Sequence, residues 1–404
     1  MLTSAQVEIN KENFPDDNFR EWLFEHYSFL YWQGAFSKND IEQIERIEIF
    51  NNILEERKIK NLKGIEFFTS LKYLDCQDNL LTSLDVSKCT ALQYLLCNDN
   101  QLTSLNVAGC TALQRLNCND NQLTSLNVAG CTALKELSCG ANKLTSLNVA
   151  GCTALKELYC SANKLTSLNV AGCTALQNLY CNDNQLTSLN ISGCTALQNL
   201  HCNDNQLSSL DTSEYTALRD LYCSNNQLTS LNVAGCTALR YLYCQNNQLS
   251  SLDASGCTTL QYFHCNDNHL KYLNLSGCIS PQKFYCYNNM LKGEYMDSLI
   301  NNLTQIDKGS LLLIYKNNNK EGNECTKSQT ATMKNKGWTP YYTTEGAFWF
   351  KYNGSDDEPD NILLSTIENT DDNVPIYNIA GQRVTQPTKS GIYIMNGKKV
   401  LINK

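Results

Sequence analysis

Leu176-Gln-Asn-Leu179-Tyr-Cys181-Asn-Asp-Asn184-Gln-Leu186-Thr-Ser-Leu189-Asn-Ile191-Ser-Gly-Cys194-Thr-Ala196 is one 21-residue unit, and the chain repeats it. Ten copies run from Leu71 to Ser280, covering 210 of the 404 residues, and a partial eleventh starts at Pro281. A fixed period of this length is the signature of a stacked-repeat architecture. Leu179 and Cys181 are two apart, so in an extended strand they point to one side. Asn178 and Tyr180 then point to the other. One unit cannot bury its apolar side alone, and stacking on a neighbour closes the core. Eleven such strands at ~4.8 Å spacing make an arc of about 48 Å. No crossover helix is long enough to cover that sheet, so its outer surface is wet.

The unit resembles the leucine-rich repeat family, whose pattern is L-x-x-L-x-L-x-x-N-x-L, with cysteine in the third apolar slot of every copy. The resemblance implies an α/β repeat fold: a leucine-rich repeat solenoid whose strands form a parallel sheet on the concave face. Asn79 and every twenty-first residue after it, through Asn184 to Asn289, are asparagine. The chain turns a corner there and exposes backbone groups that a side-chain amide can satisfy from both its ends. Removing one such amide, as in Asn184→Ala, is expected to cost ~1–3 kcal/mol.

Composition narrows the function. The net charge is −8, from 32 basic and 40 acidic residues. Duplex binding needs a basic face, so nucleic acid is not expected as a partner. No apolar run approaches the ~20 residues of a membrane-spanning helix. Met1 to Asn10 shows neither the basic start nor the apolar stretch of a signal peptide. Either the protein stays inside the cell or an export signal has been removed. The C-terminus points to the second.

Of 21 cysteines, eleven sit in the strand slot (Cys76 to Cys286) and nine lie thirteen residues further on (Cys89 to Cys278); Cys325 stands apart. Both sets occupy positions where the pattern demands a buried apolar side chain, and free cysteine serves as a small hydrophobe. Stacked cysteines run parallel and do not present the converging Cβ geometry of a disulfide. A linear ladder is not a tetrahedral metal site either. No metal and no cofactor is expected. Glu214-Tyr215 replaces the usual Gly-Cys pair in one copy, and local widening or an outward-turned ring is expected there.

The segments outside the repeats divide the chain further. Residues 1–43 form a helical N-terminal cap, 44–291 the solenoid, 292–353 a small α/β cap, 354–361 an acidic linker and 362–404 a small β module. Asn13-Phe-Pro-Asp-Asp-Asn-Phe19 with Arg20-Glu-Trp22-Leu23 resembles the N-terminal cap of bacterial surface leucine-rich repeat proteins. The calcium loop found in that cap type is not carried over, because Tyr27 to Phe36 lacks alternating carboxylates. Ser37 with Asp40 reads as a capping box, and Ile44, Ile47 and Ile49 as a degenerate first strand. In the C-terminal cap, Met296, Leu299, Ile300 and Leu303 show helical spacing and Leu311 to Tyr315 reads as a strand. Thr326 to Lys336 reads as a helix stopped by Gly337, followed by strands at Trp338 to Tyr342 and Ala347 to Tyr352. The tail, Val374 to Val384 and Gly391 to Val400, resembles the C-terminal sorting domain of proteins exported by the Por-type secretion system. That resemblance implies a secreted or cell-surface protein. A plain β module is the alternative, and Asn396-Gly397 signals a hairpin in either case.

No Walker loop, G-x-S-x-G or H-E-x-x-H occurs, and an enzyme is not expected. His26, His201, His264 and His269 read as lone surface histidines; His201 and His264 share one slot but lie three coils apart, about 14 Å. The concave slot between leucine and cysteine holds Tyr159, Tyr180, His201, Tyr222, Tyr243, His264 and Tyr285. The slot two residues earlier adds Tyr73, Tyr94, Tyr241 and Tyr262, and Tyr287 extends the C-terminal cluster. Tyrosine is enriched at binding hot spots, and it also stabilises sheets through cross-strand aromatic pairs. Both readings stand at this point. As a ligand site, the stripe Tyr159, Tyr180, His201, Tyr222, Tyr241, Tyr243, Tyr262, His264, Tyr285 and Tyr287 implies a protein or peptide ligand, host-derived among the sources considered. The alternative is a glycan stacked on the same rings.

Overall fold

The computed structural model describes residues 6–28, 34–50, 55–344 and 348–355, and the strands at 376–378, 383–384, 391–395 and 398–402. It is a leucine-rich repeat solenoid. Twelve three-residue strands, from Arg46–Glu48 through Tyr73–Asp75 and Asn178–Tyr180 to Lys283–Tyr285, stack in parallel. They continue into Gly309–Tyr315, Trp338–Thr343 and the antiparallel Phe350–Lys351, giving one fifteen-stranded sheet. The register never slips across the repeats: Leu158 faces Leu179, which faces Leu200, which faces Leu221. A shift by one residue would turn every leucine outward, so burial of these side chains pins the pairing. Leu158, Leu179, Leu200 and Leu221 are fully buried, as are the cysteines two residues after each.

The asparagine corners work through both ends of the amide. Asn205 Nδ2 donates to the carbonyls of Cys181, Cys202 and Asn203 at 3.0, 3.1 and 3.2 Å, and its Oδ1 accepts from Leu186 N at 2.9 Å. Asn184 repeats this with Cys160, Cys181, Asn182 and Leu165. Each cysteine carbonyl therefore holds its own coil's amide and the next coil's. The residue before each asparagine, from Asp78 to Asn288, is left-handed, with φ between 48° and 57°. Aspartate and asparagine tolerate that conformation best, and they fill nine of its eleven occurrences, Ala141 and Ala162 being the others.

Two features differ from expectation. The coils carry a second short segment on the far side, exposed–buried–exposed in Ser209–Asp211 and Ser230–Asn232, and several of these pair in twos as short parallel ladders. Tyr215 does not turn outward: it is 5% exposed, and its hydroxyl donates to Ile191 O at 2.8 Å. The reason lies in the cysteines it replaces. Cys194, Cys236 and Cys257 each aim Sγ at the carbonyl 24 residues earlier, at 3.3, 3.1 and 3.5 Å. Tyr215 reaches the equivalent carbonyl with a stronger donor. Thr212, where the neighbouring coils have Ile191 and Val233, sits beside it, and a groove of about 340 Å³ opens along Leu189, Ser209, Leu210 and Tyr215.

The ends are sealed by other means. Helix α1 (Asp17–Tyr27), capped by Asp16, buries Phe19 and Leu23. Helix α2 (Lys38–Gln43) starts at a Ser37–Asp40 capping box. At the other end α3 (Glu294–Asn302) and α4 (Lys327–Asn335) flank the sheet, and Trp338 is fully buried with its indole N–H on Thr304 O at 2.9 Å. Gly337 ends α4 at φ +85°, where a Cβ would lie 1.7 Å from Ile306 O. Glu321 accepts from the backbone N–H groups of Asn288, Tyr315 and Asn323 at 2.6–3.0 Å, tying the cap to the last coil. In the tail, Arg383–Val384, Ile376–Asn378, Gly391–Met395 and Lys398–Ile402 form a four-stranded antiparallel sheet in that order. Asn396 and Gly397, most of the acidic linker and Ala347 lie outside the described residues.

Candidate functional site: the concave ring ladder

Strand alternation sends Tyr159, Tyr180, His201, Tyr222, Tyr243, His264 and Tyr285 to the concave side at one position per coil, all half-buried. In-register pairing places the rings over one another. Consecutive centroids lie 5.0, 4.3, 4.2, 4.5, 4.5 and 4.0 Å apart. Tyr241 and Tyr262 form a second, parallel column at 5.0 Å with planes 3° apart. Tyr73 and Tyr94 pair more loosely, at 6.0 Å, near the N-terminal end.

His201 and His264 are thus not lone surface histidines. Each is sandwiched between two tyrosines, and burial lowers both imidazole pKa values, that of His264 to about 4 with help from the nearby Lys283 charge. They are neutral rungs at physiological pH. Burial raises the tyrosines instead: Tyr222 is pushed up to about 12, further raised by Tyr243 and Asp220. Tyr159 rises through burial and through its hydrogen bond to Glu157 at 2.8 Å. Burial raises Tyr180, Tyr243 and Tyr285 as well, so these phenols stay protonated.

The ladder ends on a residue absent from the sequence-based site. Trp349 stands edge-on to Tyr285 at 4.9 Å and tilted over Tyr341 at 5.5 Å. Tyr287 meets Tyr285 at 6.5 Å and Tyr315 at 5.5 Å, so the C-terminal end is a cluster rather than a column. Beside it Phe348 is 73% exposed. No repeat period marks Trp349; only its aromatic neighbours in the sequence could have flagged it.

The 21 cysteines are free and buried, and burial raises Cys139 and Cys202 in the strand slot and Cys89 and Cys278 in the second set to about 12. Among the described residues no group of three or more His, Cys, Asp or Glu side chains is placed to hold a metal ion, and no helix is long and apolar enough to cross a membrane.

The fold and its concave surface define a solenoid scaffold of the kind that presents extended binding faces. The family model described as Leucine Rich repeats (2 copies) matches residues 111–151 and 216–257. An internalin, InlF, from Listeria monocytogenes aligns over 85% of this chain and 93% of its own at 20% identity and a TM-score of 0.59. YopM from Yersinia enterocolitica aligns over 61% of this chain and 51% of its own at 25% identity and a TM-score of 0.50, so this chain spans about half of that one. The functional domain of InlJ from Listeria monocytogenes, described as including a cysteine ladder, aligns over 99% of both chains at 21% identity and a TM-score of 0.46. No curated protein sequence matches significantly.

Proposed function

We propose that the chain is a secreted or cell-surface binding protein that engages a protein or peptide ligand through the concave face of its solenoid. The observation that carries this reading is the ring ladder: seven half-buried rings on successive coils, five tyrosines and two histidines. Rigid, partly desolvated aromatic surface is what protein hot spots use. The glycan alternative loses support on the same geometry. Stacking a sugar needs an open aromatic face, and the inner rings cover one another's faces. The exported location rests on the resemblance of the tail to a sorting domain.

The test compares the full chain with the Tyr243→Ala/Tyr262→Ala variant in pull-downs from extracellular host material and on a glycan array. Protein partners held by the wild type and lost by an equally stable variant support the reading. Glycan hits lost on the variant, with protein capture unchanged, contradict it.

A further inference from the structure

The concave face is not uniform in charge. On its C-terminal half, the segments 219–224, 240–245, 261–266 and 282–287 carry Arg219, Arg240 and Lys283 against the single carboxylate of Asp220, in a chain of net charge −8. All three cations are exposed. Arg219 and Arg240 each stand one residue before a ladder strand, Asp220–Tyr222 and Tyr241–Tyr243, and Lys283 opens the strand Lys283–Tyr285. Arg219 and Arg240 both pull on the Asp220 carboxyl, offsetting the burial that raises it, and Lys283 acts on His264. One carboxylate between two guanidiniums leaves a positive remainder. Asp267, at the rim beyond these segments, already accepts from the amides of Asn266 and Asn288 at 2.6 and 2.7 Å. Elsewhere on the face acids and bases are matched: Arg115 pairs with Glu136 at 3.1 Å and Lys72 with Glu45 at 2.6 Å.

The same region holds unused hydrogen-bond donors. Among the described residues, the hydroxyls of Tyr222, Tyr241, Tyr243 and Tyr285 make no hydrogen bond, whereas those of Tyr159 and Tyr262 bond Glu157 and Gln282. A stacked phenol turned edge-outward offers its O–H and the positive rim of its quadrupole. Cations, O–H donors and ring edges all favour negative, acceptor-rich groups.

We propose that this half of the concave face, from Asp220–Tyr222 to Lys283–Tyr285, docks an acidic peptide segment of the protein partner, its carboxylates held by Arg219, Arg240 and Lys283 and by the free tyrosine hydroxyls. The proposal rests on the concave-face reading above and names the chemistry of its ligand. A basic, aromatic strip on a chain of net charge −8 favours acidic segments at this half of the face over the charge-matched remainder, so the strip also sets the register of encounter.

The experiment uses the intact chain and a fluorescein-labelled peptide of alternating glutamate and glycine. Controls are the lysine counterpart and a heparin oligosaccharide, all read by fluorescence anisotropy. The glutamate peptide is expected to bind, to weaken as salt rises, and to lose roughly tenfold or more in affinity to Arg219→Glu/Arg240→Glu. Circular dichroism checks that the variant is folded. No binding of the glutamate peptide, equal binding of the lysine peptide, or an unaltered affinity after charge reversal overturns the proposal. Preference for the heparin oligosaccharide overturns it in favour of an anionic glycan. A second arm separates the two levels. Peptides selected from a random display library on the wild type are expected to be rich in Asp and Glu. Selected neutral peptides that are lost on Tyr243→Ala/Tyr262→Ala sink the acidic ligand and leave the concave face standing. Selected peptides that ignore those tyrosines sink both.

Discussion

Replacing Asn205 by alanine removes four hydrogen bonds at one corner, yet the structure predicts the loss of only one unreplaced partner. Cys181 O keeps the amide of Asn184, and Cys202 O keeps that of Asn226. Asn203 O keeps the backbone N–H of Asp183. Leu186 N alone is orphaned, because Asn205 Oδ1 is its only acceptor among the described residues and Leu186 is fully buried. One buried donor left unsatisfied costs about 1–3 kcal/mol. Four independent bonds at ~0.5–1.5 kcal/mol each would give up to about 6. Asn184→Ala is expected at the lower end of the first range, since that residue is only half-buried and water can reach the gap. Asn205→Asp keeps the acceptor for Leu186 N but points a second oxygen at three carbonyls, so it should destabilise more than alanine. Urea denaturation followed by circular dichroism measures all three. A shift near ~6 kcal/mol for Asn205→Ala refutes the shared-carbonyl argument, and one below about 0.5 kcal/mol, or an aspartate milder than alanine, refutes the orphaned-donor argument.

Two further outcomes follow from the departures from pattern. Tyr215→Phe deletes the hydroxyl on Ile191 O, a carbonyl that also accepts from Cys194 N, and should cost about 1 kcal/mol; Tyr215→Ala adds a large cavity and should cost about 3–5 kcal/mol in the same melt. His264 holds its proton more weakly folded, at about 4, than an unfolded imidazole at ~6.5. Its contribution is therefore full above pH ~6.5 and is lost as the pH falls towards 4, a change of about 1–2 kcal/mol once the solvent reaching the ring is allowed for. His264→Gln should flatten that stretch of the stability profile, and a proton NMR titration placing the imidazole at or above 6.5 would contradict the sandwiched geometry.

The repeat made the sheet readable because its physics is redundant: one register, one leucine slot and one asparagine corner recur in every coil, so local ambiguity is outvoted. What escaped reading is what the period does not encode. Ser167–Asn169 and its equivalents are three residues of polar–leucine–polar, too short to separate from a turn, and they pair only because the coils beneath hold them level. Of the two expectations for Tyr215, only the outward-turned ring is overturned: in sequence its slot reads as purely apolar, and the carbonyl waiting for a donor is visible only in three dimensions. The shared slot puts Tyr222 and Tyr243 between His201 and His264 in sequence, but that their rings lie within 4.2–4.5 Å of the imidazoles is a matter of side-chain packing that the spacing does not give. Trp349 reaches Tyr285 from a cap more than sixty residues downstream, by a fold no periodicity describes.

The central claim is that each coil hides its sulfur and turns its rings to the concave surface, and maleimide labelling read by intact mass tests it most directly. The folded chain is expected to take up almost none at neutral pH and all 21 after denaturation. Rapid labelling of most thiols in the folded chain would contradict the stacked core and, with it, the ring ladder that depends on the same register.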